Sequence, residues 1–292
     1  MIPIQIRKIL GTRRGVLLVI MLAGLWSAYY LHLTPSGLIP SSGGLKLAGE
    51  FFGAAATPAF SYEGEFVPEA ALPLWVKTLK AAATTIIFAV AATSLSMTLG
   101  LPLGFLASSA WWADECPGGR SWWLRWFRRT LPPLVHGATR TGIGLMRSVH
   151  ELIWAVLFLA AMGLSPLAAV LAITIPYTGI LAKICSEMID EAPRDSALAL
   201  RASGASGIQV FFFGLLPRAV PDLIAYSLYR FECALRASAV LGFFGIPTLG
   251  YFIKTSFVNT HYHEVWTYLY VMVILIMILD AWSGAIRRRL VI

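Results

Sequence analysis

Runs of roughly 20 mainly apolar residues recur along this chain, and that is the length an α-helix needs to cross the hydrocarbon core of a bilayer. In lipid every backbone N–H and C=O must be satisfied inside the segment, so runs of this kind can only become helices or a closed barrel. Their length and continuity select helices. Of the 292 residues 58% are hydrophobic and 13% charged, about half the charge of an ordinary soluble domain. The net charge of +8 is gathered in short clusters between the apolar runs. That is the pattern of cytoplasmic loops under the positive-inside rule rather than of a nucleic-acid surface.

The first run extends from Val16 to about Leu33 behind Arg7, Lys8, Arg13 and Arg14. No small-x-small cleavage site follows, so a retained anchor helix is expected. Residues 34–76 are rich in Gly, Pro and Ser and carry Glu50, Glu63, Glu65 and Glu69 near Lys46 and Lys77. They read as an external loop, with a short interfacial helix over Leu45–Ala56. A second span starts after Lys77 or Lys80 and ends near Ser109. Arg120, Arg125, Arg128 and Arg129 then lie among Trp111, Trp112, Trp122, Trp123 and Trp126. A third helix is expected from about Leu134 to Gly163, a tight turn at 163–166, and a fourth span to about Met188. The fifth covers about Phe211 to Phe244, where Pro221 should kink the helix or mark its true start. The sixth covers about Val265 to Ile286, before Arg287, Arg288 and Arg289. Six spans put both termini on one side, and the clusters at 7–14, 120–129, 194–201 and 287–289 then all face the cytoplasm. The expected organisation is an anchor helix and external loop over 1–76 and a transmembrane domain over 77–292, with a polar loop at about 189–210.

That polar loop is the most informative segment. Pro193 and Asp195 mark a helix start, Asp195 being favoured at the positive end of the helix dipole. Ala197–Ala202 is strongly helix-forming. Gly204 permits the left-handed turn that ends a helix. A second amphipathic helix runs from near Ser206 to Pro217. The product is a helix–glycine–helix elbow.

The elbow resembles the EAA loop of ABC-importer permeases: Glu-Ala-Ala, three residues, Gly, nine residues, an apolar residue, any residue, Leu-Pro. Setting the glycine on Gly204 places Leu198-Ala199-Leu200 on the triplet and Leu216-Pro217 on the final pair. Leu198 stands where the family usually has Glu, and Gly214 where it has an apolar residue. The flanks, Arg147-Ser-Val-His-Glu-Leu-Ile-Trp154 and Tyr229-Arg-Phe-Glu-Cys-Ala-Leu-Arg-Ala-Ser-Ala-Val-Leu-Gly242, are similar to stretches of the phosphonate-importer permeases, with His150 in place of the usual Pro. The likeness covers roughly residues 75–290.

It implies an all-α, type I ABC importer-like permease fold with about six transmembrane helices in the bacterial inner membrane. It also implies a homodimer with the conduit between protomers, a periplasmic substrate-binding protein, and an ABC ATPase dimer docked on the elbow. The coupling residues it points to are Asp195, Ala199, Arg201, Gly204, Ala205, Gln209 and Pro217. The cargo implied is a phosphonate, with phosphite, hypophosphite or another small anion as the alternative.

Ionisable groups within a span pair with one another or face a polar pathway. Arg147 and Glu151 are four residues apart, as are Glu232 and Arg236, so each pair is expected on one helix face. Arg147, Arg230 and Arg236 would make a conduit electropositive, with Glu151 and Glu232 orienting them, because guanidinium forks suit tetrahedral oxyanions. Ser238 could add a hydroxyl. The competing reading of the same residues is helix-locking ion pairs. Lys183 and Glu187 form a further four-residue pair.

No Gly-x-x-x-x-Gly-Lys-Ser/Thr loop is present, so ATP and Mg belong on a partner and no cofactor is expected on this chain. Cys116, Cys185 and Cys233 share no disulfide or metal spacing. His261, His263 and Glu264 do not make a closed metal site. An integral-membrane enzyme using His150/Glu151 or His261/His263 is the reading from another class. A secondary transporter is a third, without an inverted repeat to support it.

Overall fold

The computed structural model describes residues 4–33, 37, 41–64, 71–112 and 122–290. Arg120, Glu65, Glu69 and Cys116 lie outside them. The chain divides into two units, residues 1–56 and 57–292.

The first unit holds α1 (Ile4–Tyr30) and α2 (Ser42–Gly53), the latter followed by a 3-10 turn at Ala54–Ala56. α1 begins well before Val16, since Arg and Lys are good helix formers and extend the helix beyond its apolar part. Its apolar portion, Gly15–Tyr30, keeps large side chains such as Leu17 and Met21 open, as contact with lipid requires. α2 is capped by the Ser41 hydroxyl, which accepts from Gly44 N–H at 3.2 Å.

The second unit is built on α3 (Leu74–Ala107) and α7 (Pro166–Glu191), which run side by side in the same direction. Small residues make this possible, as at close helix contacts in membranes. A Cβ added at Gly104 would lie 2.6 Å from Cys185 Cβ and 2.8 Å from the Ala182 carbonyl. Gly104→Leu is therefore expected to cost roughly 1–3 kcal/mol through overpacking, read as a lower thermal midpoint of the purified protein. Between them in sequence come α4 (Ser109–Trp112), α5 (Trp122–Ser148) and α6 (Glu151–Met162). After α7 come α8 (Asp195–Ala202), α9 (Gly207–Val210), a π turn at Phe211–Leu215, α10 (Leu216–Val240), a 3-10 turn at Leu241–Phe244, α11 (Leu249–Val258) and α12 (Tyr262–Leu290).

Among the described residues four helices are long and apolar enough to cross a membrane: Leu74–Ala107, Pro166–Glu191, Phe211–Phe244 and Tyr262–Arg289. The pair α5/α6 adds a fifth, and with α1 the count is about six. The third helix is not continuous, however. It breaks at Val149–His150, and the halves are bent by 89°. His150 is extended at φ −67, ψ 148 and its Nδ1 accepts from Leu152 N–H at 3.3 Å, starting a new helix. Glu151 in that first turn favours the new helix start electrostatically.

Pro221 lies inside a continuous α10 and does not start it. The irregularity sits upstream, where Leu216 N–H bonds to Phe211 O and the i→i−5 turn accommodates Pro217, which has no N–H to give. The turn at Gly163 (φ +71) is as expected, with Ser165 capping α7 and Pro166 in its first turn. α11 was not anticipated. It follows a left-handed Gly245 (φ +97) between the fifth and sixth spans.

Candidate functional site

The elbow is α8, the turn at 203–206 and α9. Gly204 sits at φ +85. Its N–H bonds to Arg201 O at 2.9 Å, and Ala205 N–H bonds to Leu200 O at 3.0 Å. These are the two bonds of a Schellman cap, which requires a left-handed residue at this place. The next helix opens with Ser206, whose N–H and hydroxyl both donate to Gln209 Oε1, at 2.9 and 3.1 Å. Gln209 thus closes the helix start, as the third-position residue of a capping box does. Both ends of the bend are fixed by hydrogen bonds.

α8 buries Ala197 and half-buries Leu200 against Val210, Phe211 and Leu215. It leaves Asp195, Leu198, Ala199 and Arg201 exposed. Gly214 is explained here: a Cβ on it would come within 3.2 Å of Leu200 Cδ1 and 3.3 Å of Ala197 Cα. The same apolar cluster reaches Cys185, Ile189, Leu101 and Phe105 of α7 and α3, with Phe105 edge-on to Phe211 at 4.5 Å. The elbow and the adjoining ends of α3 and α7 thus share one packed apolar cluster.

Asp190, which sequence reasoning missed, ties the same end together. Its carboxylate accepts from the Ser108 hydroxyl at 2.7 Å and from the N–H groups of Ser109 and Ala110, both at 3.1 Å. Arg140 stands 3.6 Å away and donates through Nε to Ala107 O at 3.1 Å.

A second charged region lies between α7 and α10. Arg230 lays its guanidinium over the ring of Tyr177, 4.4 Å from the centroid. Its Nε–H is buried without a hydrogen-bond partner among the described residues. Glu151, Cys233 and Arg236 lie within electrostatic reach of Tyr177, and Arg147 and Arg230 within reach of Tyr226. Four of the six expected pathway residues, Arg147, Glu151, Arg230 and Arg236, thus share one region, but their pairing differs from the sequence expectation. Arg147 ends α5 and Glu151 begins α6, so the break removes their shared face. Glu151 faces His150 instead, at 3.6 Å. Glu232 does not pair with Arg236. It reaches across to Arg287 of α12 at 3.0 Å, a contact between distant residues that periodicity cannot reveal. Arg236 donates to Cys233 Sγ at 3.4 Å. Ser238 is fully buried and donates to Thr85 O and Leu235 O, so its hydroxyl braces α10 on α3.

At the other end of the helices, Thr57–Gly64 is strapped to α12. Glu264, 4% exposed, accepts from the Ser256 hydroxyl and from Glu63 N–H, both at 2.9 Å. His263 Nδ1–H donates to Thr57 O at 2.6 Å, and its Nε2 lies 3.7 Å from Glu63 Oε1. Burial, and after it the Glu264 carboxylate, hold the Tyr62 phenol above its ordinary pKa, so it stays the donor to Leu72 O at 2.7 Å. Glu264→Ala is expected to strand Glu63 N–H and the Ser256 hydroxyl, costing about 1–3 kcal/mol. Faster proteolysis within residues 57–64 would report it.

Residues 100–292 match the family described as binding-protein-dependent transport system inner membrane component. The phosphite transport system permease protein of Stutzerimonas stutzeri is 32% identical over 218 residues, 73% of this chain and 70% of that protein. The phosphate-import permease protein of Mycolicibacterium smegmatis is 31% identical over 219 residues, 75% of this chain but 38% of that longer protein. Among solved structures, a chain of an amino acid ABC transporter crystallised with histidines superposes with a TM-score of 0.60 at 16% identity, covering 74% of this chain and 94% of that one. This last likeness is one of fold.

Proposed function

The chain belongs to the family of binding-protein-dependent transport system inner membrane components, and on that premise we propose that its cargo is a phosphonate or a closely related phosphorus oxyanion. It is the permease subunit of an ABC importer. Two copies of the chain enclose the conduit, both termini lie in the cytoplasm, and a periplasmic binding protein delivers the anion. A separate ATPase dimer, which carries ATP and Mg, docks on the exposed face of the elbow formed by Asp195, Ala199, Arg201 and the residues around Gly204. The elbow's packing on α3 and α7 then converts ATPase closure into rocking of the bundle.

The observation that carries the cargo reading is Arg230 stacked on Tyr177. A charge in a spanning helix is costly and persists where it serves a partner or a pathway. Here the ring takes one face of the guanidinium and leaves donors at its edge, the part that fits a tetrahedral oxyanion. Arg147 and Arg236 extend the positive field along the same region. Phosphite is the second reading, favoured by the name of the Stutzerimonas relative, with hypophosphite or another small anion beside it.

The test is uptake of radiolabelled methylphosphonate by cells lacking other phosphorus transporters and expressing the chain with its ATPase and binding protein. Uptake should be competed by phosphite and not by amino acids, and should vanish without the ATPase. Uptake that survives loss of the ATPase would mean a secondary transporter. Failure of every phosphorus oxyanion to compete would sink the cargo reading. Arg236→Gln is expected to slow uptake roughly fivefold, the worth of about 1 kcal/mol of charge-assisted hydrogen bonding, while the ATPase still copurifies. Normal uptake in that variant would remove Arg236 from the pathway.

A further inference from the structure

A cleft between α5 and α7, which shares Arg147 with the region of the Arg230–Tyr177 pair but lies beyond it, has chemistry that neither the family nor the fold assigns. Its volume is about 130 Å³, and its lining includes Arg140, Gly144, Arg147, Lys183, Ser186 and Glu187. It lies at the end of α7 that leads into the elbow. On the orientation proposed above, on which this inference rests, that is the cytoplasmic end.

Three of these side chains are cationic and one is anionic. Lys183 and Glu187 neutralise each other at 2.9 Å. Arg140 is only loosely balanced: Asp190 stands 3.6 Å away, and its oxygens are already taken up by Ser108, Ser109 and Ala110. Arg147 has no carboxylate within ion-pair distance among the described residues. It closes α5, where its stem lies against α7: a Cβ on Gly179 would come within 2.9 Å of Arg147 Cγ. The cleft therefore holds an excess of positive charge. Gly144 leaves its floor open, since a Cβ there would meet nothing within 4 Å.

The size is also selective. Sites for drug-sized ligands begin at about 300 Å³, whereas this cleft has about 130 Å³, the scale of a small anion. A tetrahedral anion of about that bulk fits, and two guanidinium groups suit its geometry. We infer that the Arg140–Arg147–Lys183 cleft is a second oxyanion site, on the exit side of the permease, occupied by departing cargo or by phosphate of the cytosol.

The site can be tested without relying on transport. In a chain whose Cys116, Cys185 and Cys233 are replaced by alanine, Gly144→Cys is introduced and the full transporter complex is placed in inside-out vesicles. An anionic methanethiosulfonate reagent should label Cys at this position about fivefold or more faster than a cationic one, as a focused positive field dictates. Methylphosphonate or inorganic phosphate at millimolar concentration should slow the labelling severalfold. Which of the two protects at lower concentration separates departing cargo from resident phosphate. Adding Arg147→Gln should abolish both the reagent preference and the protection. Labelling that ignores reagent charge, that neither anion slows, or that does not occur at all would overturn the site. The methylphosphonate uptake assay reports separately on the cargo, so the two failures are distinguishable.

Discussion

Replacing Gly204 by valine is expected to reduce ATP-driven uptake about tenfold or more, on the scale of the 1–3 kcal/mol that a non-glycine residue costs at a sparsely populated backbone conformation. Gly204 holds φ +85, where a β-branched residue is most strained. A side chain there meets nothing within 4 Å, so the effect arises in the backbone and not from a clash. Valine would break the bonds from Gly204 N–H to Arg201 O and from Ala205 N–H to Leu200 O, and α8 would lose its fixed angle to α9. The membrane helices should keep their fold, because their contacts with one another, such as that of α3 on α7 at Gly104, do not involve Gly204. The checks are uptake, the yield of folded permease on size-exclusion chromatography, and copurification of the ATPase. Gly204→Asn provides the control, since asparagine enters the left-handed region at lower cost and should retain most of the activity. Equal uptake by the valine variant would show that the elbow does not couple ATP to transport. Equal loss in both variants would point to a need for glycine other than its backbone freedom.

The elbow was legible because its information is local. A helix start at Asp195, a run of good helix formers and a glycine at the stop are each readable within a few residues, and the two terminal bonds of α8 follow from them. The apolar runs were legible for the same reason. What was not legible depended on contacts between distant segments or on a single cap. The junction of α5 and α6, Arg147-Ser-Val-His-Glu151, is polar but holds no Pro or Gly to announce a break, and only the ring nitrogen of His150, seated on Leu152 N–H, shows why the helix turns there. Glu232 and Arg236 satisfy the four-residue rule, yet the guanidinium of Arg287 on α12 offers a closer partner. Glu264 reads in sequence as a member of an external His/Glu cluster, whereas its carboxylate is buried on the backbone of Glu63 and the hydroxyl of Ser256. Asp190 and Tyr177 carry no local signal at all. Tyr177 lies in a run whose pattern announces only a span, and Asp190 falls just past the expected end of that span, in the last turn of α7.

Arg230 and Tyr177 give the second large expected effect, and it separates an aromatic platform from a hydroxyl. Arg230→Gln should lower uptake by roughly tenfold or more, since hydrogen bonds made by a charged group are worth about 1.5–3 kcal/mol. Arg230→Lys keeps the charge but loses the planar fork and should recover only part of it. Tyr177→Phe preserves the ring beneath the guanidinium, 4.4 Å from its centroid, and should transport nearly as the parent does. Tyr177→Leu removes the ring and about 0.5–2 kcal/mol of cation–π attraction, which should appear as a severalfold rise in the substrate concentration for half-maximal uptake. Its maximal rate should be little changed, because the elbow and the ATPase contact are untouched. That split between affinity and maximal rate is what distinguishes positioning of Arg230 from support of the fold. If leucine instead lowers the maximal rate and the yield of folded protein together, Tyr177 is a packing residue. If phenylalanine is as poor as leucine, the hydroxyl and not the ring face is what the anion meets.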